Sequence, residues 1–334
     1  MTDAHWMAEA IAISRNGFPA PNPHVGCVLV REGKVVGRGW CDFAGAPHAE
    51  AMALAEAGFR ARGSTAYVTL EPCNHYGRTP PCSLALLAAG VARVVVACPD
   101  TNPKASGGAE RLRSAGIPTE IGLLAEEAAA ENRAFLFAMA NGRPLVVAKA
   151  GASLDGRIAL PSGESQWITS PASREAGHRL RADLGAVLVG RRTVQLDDPQ
   201  LTARIPGVVN QPLRIVLDPL NRLTGRERVF DDSAPSRHVT GVIDLEELLA
   251  SLFAEGQIGV LVEGGARTIA SFFEDRLVDR VELFLGAKVL GSGPSWLEGL
   301  KLQKLSAAPA LRIDGLSRSG DDVRISAAVE FSAE

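Results

Sequence analysis

His48-Ala49-Glu50, Glu71-Pro72-Cys73 and Cys82 place the tightest condition on how this chain folds. One imidazole and two thiolates can hold a zinc ion in three positions and leave a fourth open, as a catalytic zinc requires; a structural site is closed by four ligands. Three separate stretches must then converge on one point. Pro47, just before His48, fits a helix start, where the missing amide costs nothing. His48 and Glu50 would share a first turn and point in different directions, one toward a metal and the other into the space beside it. The apolar run Thr65–Leu70 reads as a strand that delivers Cys73 at its end, and Cys82 reads as the opening of the next helix. A helix N-terminus favours a thiolate.

The remaining chain has room for more than this site. Its 334 residues suffice for two domains, each with its own core. A hydrophobic share of 46% and a charged share of 22% are those of a globular protein. With a net charge of −3 there is no electrostatic footprint for nucleic acid. Five cysteines make an odd count, and a catalytic cysteine pair requires thiols, so both facts point to a reducing compartment. Residues Ala4–Ile13, with Glu9 inside, read as an amphipathic helix capped by Thr2 or Asp3, not as a signal peptide. No apolar run approaches a membrane span. The expectation is a cytoplasmic protein acting on a small-molecule substrate, with no nucleic-acid or membrane partner, assembled as a homodimer or a larger homo-oligomer.

Short apolar runs alternate with helical patterns, as βαβ units require. In the first half Val25–Val30, Lys34–Trp40, Thr65–Leu70 and Arg93–Ala97 read as strands, and Ala49–Ala57, Cys82–Ala89 and Ala109–Ser114 as helices. Leu123–Ala140 reads as one long helix, ended by Asn141-Gly142-Arg143-Pro144. That places a domain boundary between 1–143 and 144–334. The second half restarts with a buried strand, Leu145–Ala150. Helices near Pro171–Arg181, Leu245–Phe253 and Thr268–Glu274 then alternate with strands at Ala186–Val189, Leu213–Leu217 and Ile258–Val262. Arg222–Val242 is polar and irregular. Gly37-Arg38-Gly39 begins like a dinucleotide fingerprint, but Asp42 stands where the third glycine belongs and no helix follows.

The pattern H-x-E followed by P-C-x-x-C marks zinc-dependent nucleobase deaminases, in which the glutamate is not a ligand. This chain matches it except that eight residues separate Cys73 from Cys82. Zinc lowers the pKa of its water from about 15.7 to about 7. Attack on an amidine-like ring carbon would follow, with Glu50 ferrying the proton to the departing ammonia. Cys27, Cys41 and Cys98 read as packed core, and His5, His178 and His238 as ordinary surface or packing residues.

Pro21-Asn22-Pro23-His24-Val25-Gly26, His48-Ala49-Glu50 and the run from Glu71 through Asn74-His75-Tyr76-Gly77-Arg78-Thr79-Pro80-Pro81 to Cys82 closely resemble the bifunctional riboflavin-biosynthesis pyrimidine deaminase/reductases of bacteria. In that family the eight-residue gap is the ordinary spacing. The resemblance continues through Lys149, Ser153–Arg157, Gly163–Thr169, Gly190-x-x-Thr193, Asp197-Asp198-Pro199-x-Leu201 and Glu263-Gly264-Gly265. It implies an α/β protein: an N-terminal cytidine-deaminase-like α/β/α domain plus a C-terminal dihydrofolate-reductase-like α/β domain. It also implies Zn2+ and NADPH as cofactors and two successive reactions. The 2-amino group of 2,5-diamino-6-ribosylamino-4(3H)-pyrimidinone 5′-phosphate would be replaced by oxygen. NADPH would then reduce the ribosyl side chain to ribityl.

The same resemblance assigns roles. His48, Cys73 and Cys82 would hold zinc and Glu50 would be catalytic. Asn22 would meet a pyrimidine edge, or simply form a turn between two prolines. His75 and Arg78 could hold the substrate phosphate. Lys149, Ser165, Arg181, Leu201, Arg204 and Glu263 would face substrate in the second half. Gly151, Trp167, Thr193, Asp197 and the run Gly265, Ala266, Arg267, Thr268, Ile269, Ala270 and Ser271 would bind NADPH, with Trp167 as plain core packing the alternative. Glycines between a strand and a helix let backbone amides approach a phosphate. The sequence departs from the family in a short stretch around Arg237–Ile243, in Pro219 where a serine is usual, and in Gly286-Ala287-Lys288 where an alanine-proline pair is usual. The alternative reading is a deaminase whose second half only binds substrate or forms the dimer. With two sites on separate domains, release of the intermediate is expected.

Overall fold

The computed structural model describes residues 1–76 and 80–332. Its chain divides into two compact units, Met1–Asn141 and Gly142–Glu334. No helix among the described residues is long and apolar enough to cross a membrane.

The first unit opens with α1 (Asp3–Ser14), capped by Thr2, whose hydroxyl accepts from the His5 N–H. A hairpin of β1 (Gly26–Arg31) and β2 (Lys34–Trp40) follows, then α2 (Ala49–Ala57), β3 (Thr65–Leu70), α3 (Cys82–Ala89), β4 (Arg93–Cys98), α4 (Gly108–Ser114) and β5 (Thr119–Ile121). The sheet runs β2-β1-β3-β4-β5. β1 is antiparallel to both neighbours, and β3, β4 and β5 are parallel. One face buries Leu29, Val68, Val94 and Val96 against Ala49, Ala53, Leu86 and Leu112 of the helices. Alanine dominates the α2 contact because helix and sheet almost touch: a Cβ at Gly37 or Gly39 would run into the carbonyls of Ala53 or Ala49. Those two glycines therefore serve helix–sheet approach and not a nucleotide.

The long helix expected over Leu123–Ala140 is in fact two, α5 (Ala125–Glu131) and α6 (Arg133–Asn141). They break at Asn132, whose side-chain amide donates to the carbonyls of His24 (2.9 Å) and Ala128 (3.4 Å). An asparagine that bonds main chain in this way competes with the helix ladder.

The second unit contains β6 (Leu145–Ser153), α7 (Pro171–Leu184), β7 (Ala186–Gly190), α8 (Arg191–Asp197), β8 (Leu213–Leu217), β9 (Ser236–Val239), α9 (Leu245–Ala254), β10 (Gly259–Val262), α10 (Ala266–Glu274), β11 (Arg280–Gly286), β12 (Ala310–Ser319) and β13 (Asp322–Glu330). The eight-stranded sheet runs β12-β13-β11-β6-β10-β7-β8-β9. The six strands from β11 to β9 are parallel, and β13 and β12 close one edge antiparallel. Val146, Leu188, Ile215 and Val260 pack against Leu249 and Leu252 of α9 and Phe272 and Phe273 of α10. The segment 222–242, polar and irregular in sequence, contributes β9 and a short 3-10 turn, Arg228–Phe230. In such a sheet, ligands bind beyond the carboxyl ends of the parallel strands.

Candidate active sites

In the first unit, His48 is the residue before α2, Cys73 follows β3 and Cys82 opens α3. Their ligand atoms all lie within 4.8 Å of one another. His48 Nδ1 is 3.6 Å from Cys73 Sγ and 3.4 Å from Cys82 Sγ. Donors about 2.3 Å (sulfur) and 2.0 Å (nitrogen) from one zinc, in tetrahedral directions, would stand about 3.5 Å apart, so the cluster fits that ion. The backbone N–H of Cys82 donates to Cys73 Sγ at 3.3 Å. The hydrogen bond between the two thiols, against burial and with help from His48, holds Cys73 well below the ordinary thiol range. The same bond and burial push Cys82 up.

Glu50 stands in the first turn of α2, only 3% exposed. Burial pushes its carboxyl above the ordinary carboxylate range, which suits a group that must gain and lose a proton. Cys27 and Cys41, expected in the core, are buried there, and both thiols are raised first by burial and then by the charge of Glu50. Asn22 donates its backbone N–H to the Pro19 carbonyl at 2.8 Å, closing a turn, and its half-buried side chain has no hydrogen bond among the described residues. His75 is exposed. Arg78 lies outside the described residues.

In the second unit the structure brings Lys149, Arg181 and Glu263 together. Glu263 accepts from Arg181 Nε (2.6 Å) and Nη2 (2.9 Å) and from Lys149 Nζ (3.1 Å). All three side chains are nearly buried. Burial alone would raise the Glu263 carboxyl, but Arg181 and Lys149 outweigh it and hold it at about 2. Arg204 donates its N–H to His178 Nδ1 (3.3 Å) and a guanidinium N–H to Thr202 Oγ1 (3.1 Å). Leu201 is buried with φ 57°. Ser165 is half-buried.

Gly265 follows β10 with φ 63° and opens α10. A Cβ there would lie 3.2 Å from Thr193 Oγ1, and one at Gly264 would press into Val189 at 2.6 Å. Gly264 is buried, while the exposed main chain of Gly265 lies beside the Thr193 hydroxyl, a cradle fit for a cofactor phosphate. Ala266, Ile269 and Ala270 are buried, Arg267 is exposed, and Ser271 Oγ donates to the Thr268 carbonyl (2.9 Å). Asp197 is exposed at the end of α8. Gly151 has Thr169 Cγ2 3.2 Å from where its Cβ would be. Trp167 is 58% exposed, which removes it from the core, and the Arg174 guanidinium lies 4.3 Å above its ring. Lys288 Nζ donates to the Trp167 carbonyl at 2.6 Å, and Gly286 leaves room for the Ile168 carbonyl.

Several residues here escaped sequence reasoning. His178 accepts from the Arg204 N–H and lies 3.0 Å from the Thr202 carbonyl. Its position three before Arg181 on α7 was a readable signal. Arg214 is wholly buried, donating to the carbonyls of Gln200 (3.1 Å), Arg228 (3.3 Å), Asp231 and Ala234 and to the Asp231 carboxylate (2.8 Å). Asp218, also buried, accepts from the Arg222 and Leu223 N–H groups and from His238.

The fold and the His-Cys-Cys cluster define a two-part enzyme, a cytidine-deaminase-like domain followed by a dihydrofolate-reductase-like one. Comparison with known proteins agrees for each part. The cytidine and deoxycytidylate deaminase zinc-binding region matches residues 1–98, and the RibD C-terminal domain matches 144–325. Riboflavin biosynthesis protein RibD of Aquifex aeolicus is 40% identical over 341 residues, covering 96% of each chain. Its Escherichia coli counterpart is 41% identical over 360 residues, covering 97% of this chain and 98% of that one. The structure of Acinetobacter baumannii RibD superposes with a TM-score of 0.89 at 38% identity over 98% of both chains. A diaminohydroxyphosphoribosylaminopyrimidine deaminase/5-amino-6-(5-phosphoribosylamino)uracil reductase from Thermotoga maritima gives 0.89 at 33%, again over 98% of both. The chain belongs to the RibD family of riboflavin biosynthesis proteins.

Proposed function

We propose that this chain carries out two consecutive steps of riboflavin biosynthesis. The first is hydrolytic deamination of 2,5-diamino-6-ribosylamino-4(3H)-pyrimidinone 5′-phosphate in the unit Met1–Asn141. The second is NADPH-dependent reduction of the ribosyl side chain in Gly142–Glu334. The observation that carries the first is the His48–Cys73–Cys82 cluster with buried Glu50 beside it. His48, Cys73 and Cys82 would hold Zn2+, which when bound supplies the acidification of a water, from pKa about 15.7 to about 7. Glu50 would take a proton from the attacking water and deliver it to the departing amino nitrogen. Asn22 offers an amide to the pyrimidine edge, and His75 and Arg78 take the phosphate.

In the second unit, NADPH supplies the hydride. The main chain from Gly265 to Ser271, with Gly151, Trp167, Thr193 and Asp197, would hold that cofactor. Lys149, Arg181 and Glu263 present a fixed, ionised surface to the sugar, with Ser165, Leu201 and Arg204 around its phosphate. A second half that binds without reducing has no observation in its favour, since the RibD C-terminal match spans 144–325. The test is mass spectrometry of products from the diaminopyrimidinone substrate. An amino-to-oxo change without NADPH, then a gain of two hydrogens with it, is expected. Deamination alone with NADPH present would refute the second half of the reading.

A further inference from the structure

Glu71 has no part in the chemistry above, yet its carboxylate is among the most fully engaged in the first unit. The residue is 8% exposed. Its Oε1 accepts from the backbone N–H groups of Gly107 (3.2 Å) and Ala109 (2.9 Å), and its Oε2 from that of Asp100 (3.2 Å). Its own N–H continues the β3–β4 ladder to the Cys98 carbonyl at 2.9 Å. One side chain thus fastens both ends of the segment 100–109 to the exit of β3. Amides satisfy a buried carboxylate with no cation needed.

The neighbours of Cys73 are fastened to the same segment. The Pro72 carbonyl abuts Gly108 so closely that a Cβ there would run into it. Asn74 donates its N–H to the Ala105 carbonyl at 2.8 Å, and its Oδ1 accepts from Ser83 Oγ at 3.2 Å and from Arg111 Nε. Cys73 lies between these two shoulders, with its carbonyl accepting from the Ser83 N–H at 3.2 Å. The place of Cys73 Sγ, 3.6 Å from His48 Nδ1, is therefore set by a turn held on each side by segment 100–109.

We infer that Glu71 is a positioning residue for the metal cluster: it is neither ligand nor proton carrier, and it fixes where Cys73 presents its sulfur. The inference rests on the reading of His48, Cys73 and Cys82 as metal ligands. Partners that orient a ligand typically change metal affinity or activity about 10- to 100-fold when altered. In Glu71→Gln the side chain keeps its shape, but one acceptor becomes an amide facing a donor.

The experiment uses the full chain loaded with cobalt in place of zinc for spectroscopy, and with zinc for release into a chromophoric chelator. E71Q should alter the cobalt–thiolate absorption bands and lose zinc about 10- to 100-fold faster than the parent chain. Deamination should fall in step, while NADPH-dependent reduction of the deaminated intermediate stays unchanged and reports a folded chain. Gly108→Ala, which strains the Pro72 shoulder, should reproduce the spectral change by a second route. Parental cobalt bands in both variants, with unaltered zinc release, would overturn the inference. Cys73→Ser separates the two levels: if it also left the bands unchanged, the ligand assignment itself would fail.

Discussion

Replacing Glu263 by Gln removes the one carboxylate between two nearly buried cations, Lys149 and Arg181. The carboxyl ionises near 4.5 in an unperturbed chain and at about 2 here. At about 1.4 kcal/mol per pH unit, the difference corresponds to about 3 kcal/mol of stability. That agrees with the roughly 3–5 kcal/mol lost when one partner of a buried pair is removed. For a unit of this size it amounts to about 6–12 °C in Tm. The folded-state pKa is depressed, so the contribution is complete above pH 4.5 and is lost as pH falls toward 2. Urea and thermal unfolding of parent and E263Q at pH 7.5, 5.5 and 3.5 measure it. The gap should be equal at the two higher values and shrink to about 2 kcal/mol at pH 3.5. A gap below about 1 kcal/mol at pH 7.5, or one that widens on acidification, would refute the account of this cluster.

Arg214→Met removes the Arg214 donors from four carbonyls and the cation from the Asp231 carboxylate, which keeps Ser233 and Gln200, and should cost about 3–5 kcal/mol in chemical unfolding. Because one of those carbonyls is Gln200, next to Leu201, it should also raise KM for the reductase substrate more than KM for NADPH. Lys288→Met removes one hydrogen bond to the Trp167 carbonyl, worth about 1 kcal/mol, so NADPH binding followed by fluorescence should weaken about fivefold with kcat little changed. Ser170→Ala removes the hydroxyl that caps α7 and donates to the Ser319 carbonyl (2.9 Å), and should lower stability by about 1 kcal/mol in thermal unfolding.

The convergence of His48, Cys73 and Cys82 was legible because each sits at an element boundary that local chemistry marks: Pro47 before His48, Thr65–Leu70 before Cys73, Pro81 before Cys82. Most parallel strands, β3, β4, β6, β7, β8 and β10, were legible as apolar runs, but β5, β9 and the central β11 were not. Three kinds of feature were not. The break at Asn132 depends on a carbonyl 108 residues away, at His24, which no local pattern signals. Beyond Glu274 the sequence marks no element clearly, although Val323, Ile325, Ala327 and Val329 alternate as β13 requires. In β12 the register shifts between Ile313 and Gly315, which moves Leu316 out of phase with Leu311 and Ile313 and erases the alternation. Arg214 reads as an ordinary charged residue, and Glu71 as a member of the Glu71-Pro72-Cys73 motif with no role of its own, since the importance of both comes from backbone groups that only the fold assembles.

The account's central claim is that two chemically distinct sites share this chain, and Glu50→Gln tests it most directly. Product formation would be followed by mass spectrometry, first from the diaminopyrimidinone phosphate with NADPH, then from the deaminated intermediate with NADPH. The account predicts that E50Q slows the first reaction about 10²–10⁴-fold with zinc still bound, and reduces the intermediate at the parental rate. Parental deamination by E50Q, or equal loss of both reactions, would contradict it.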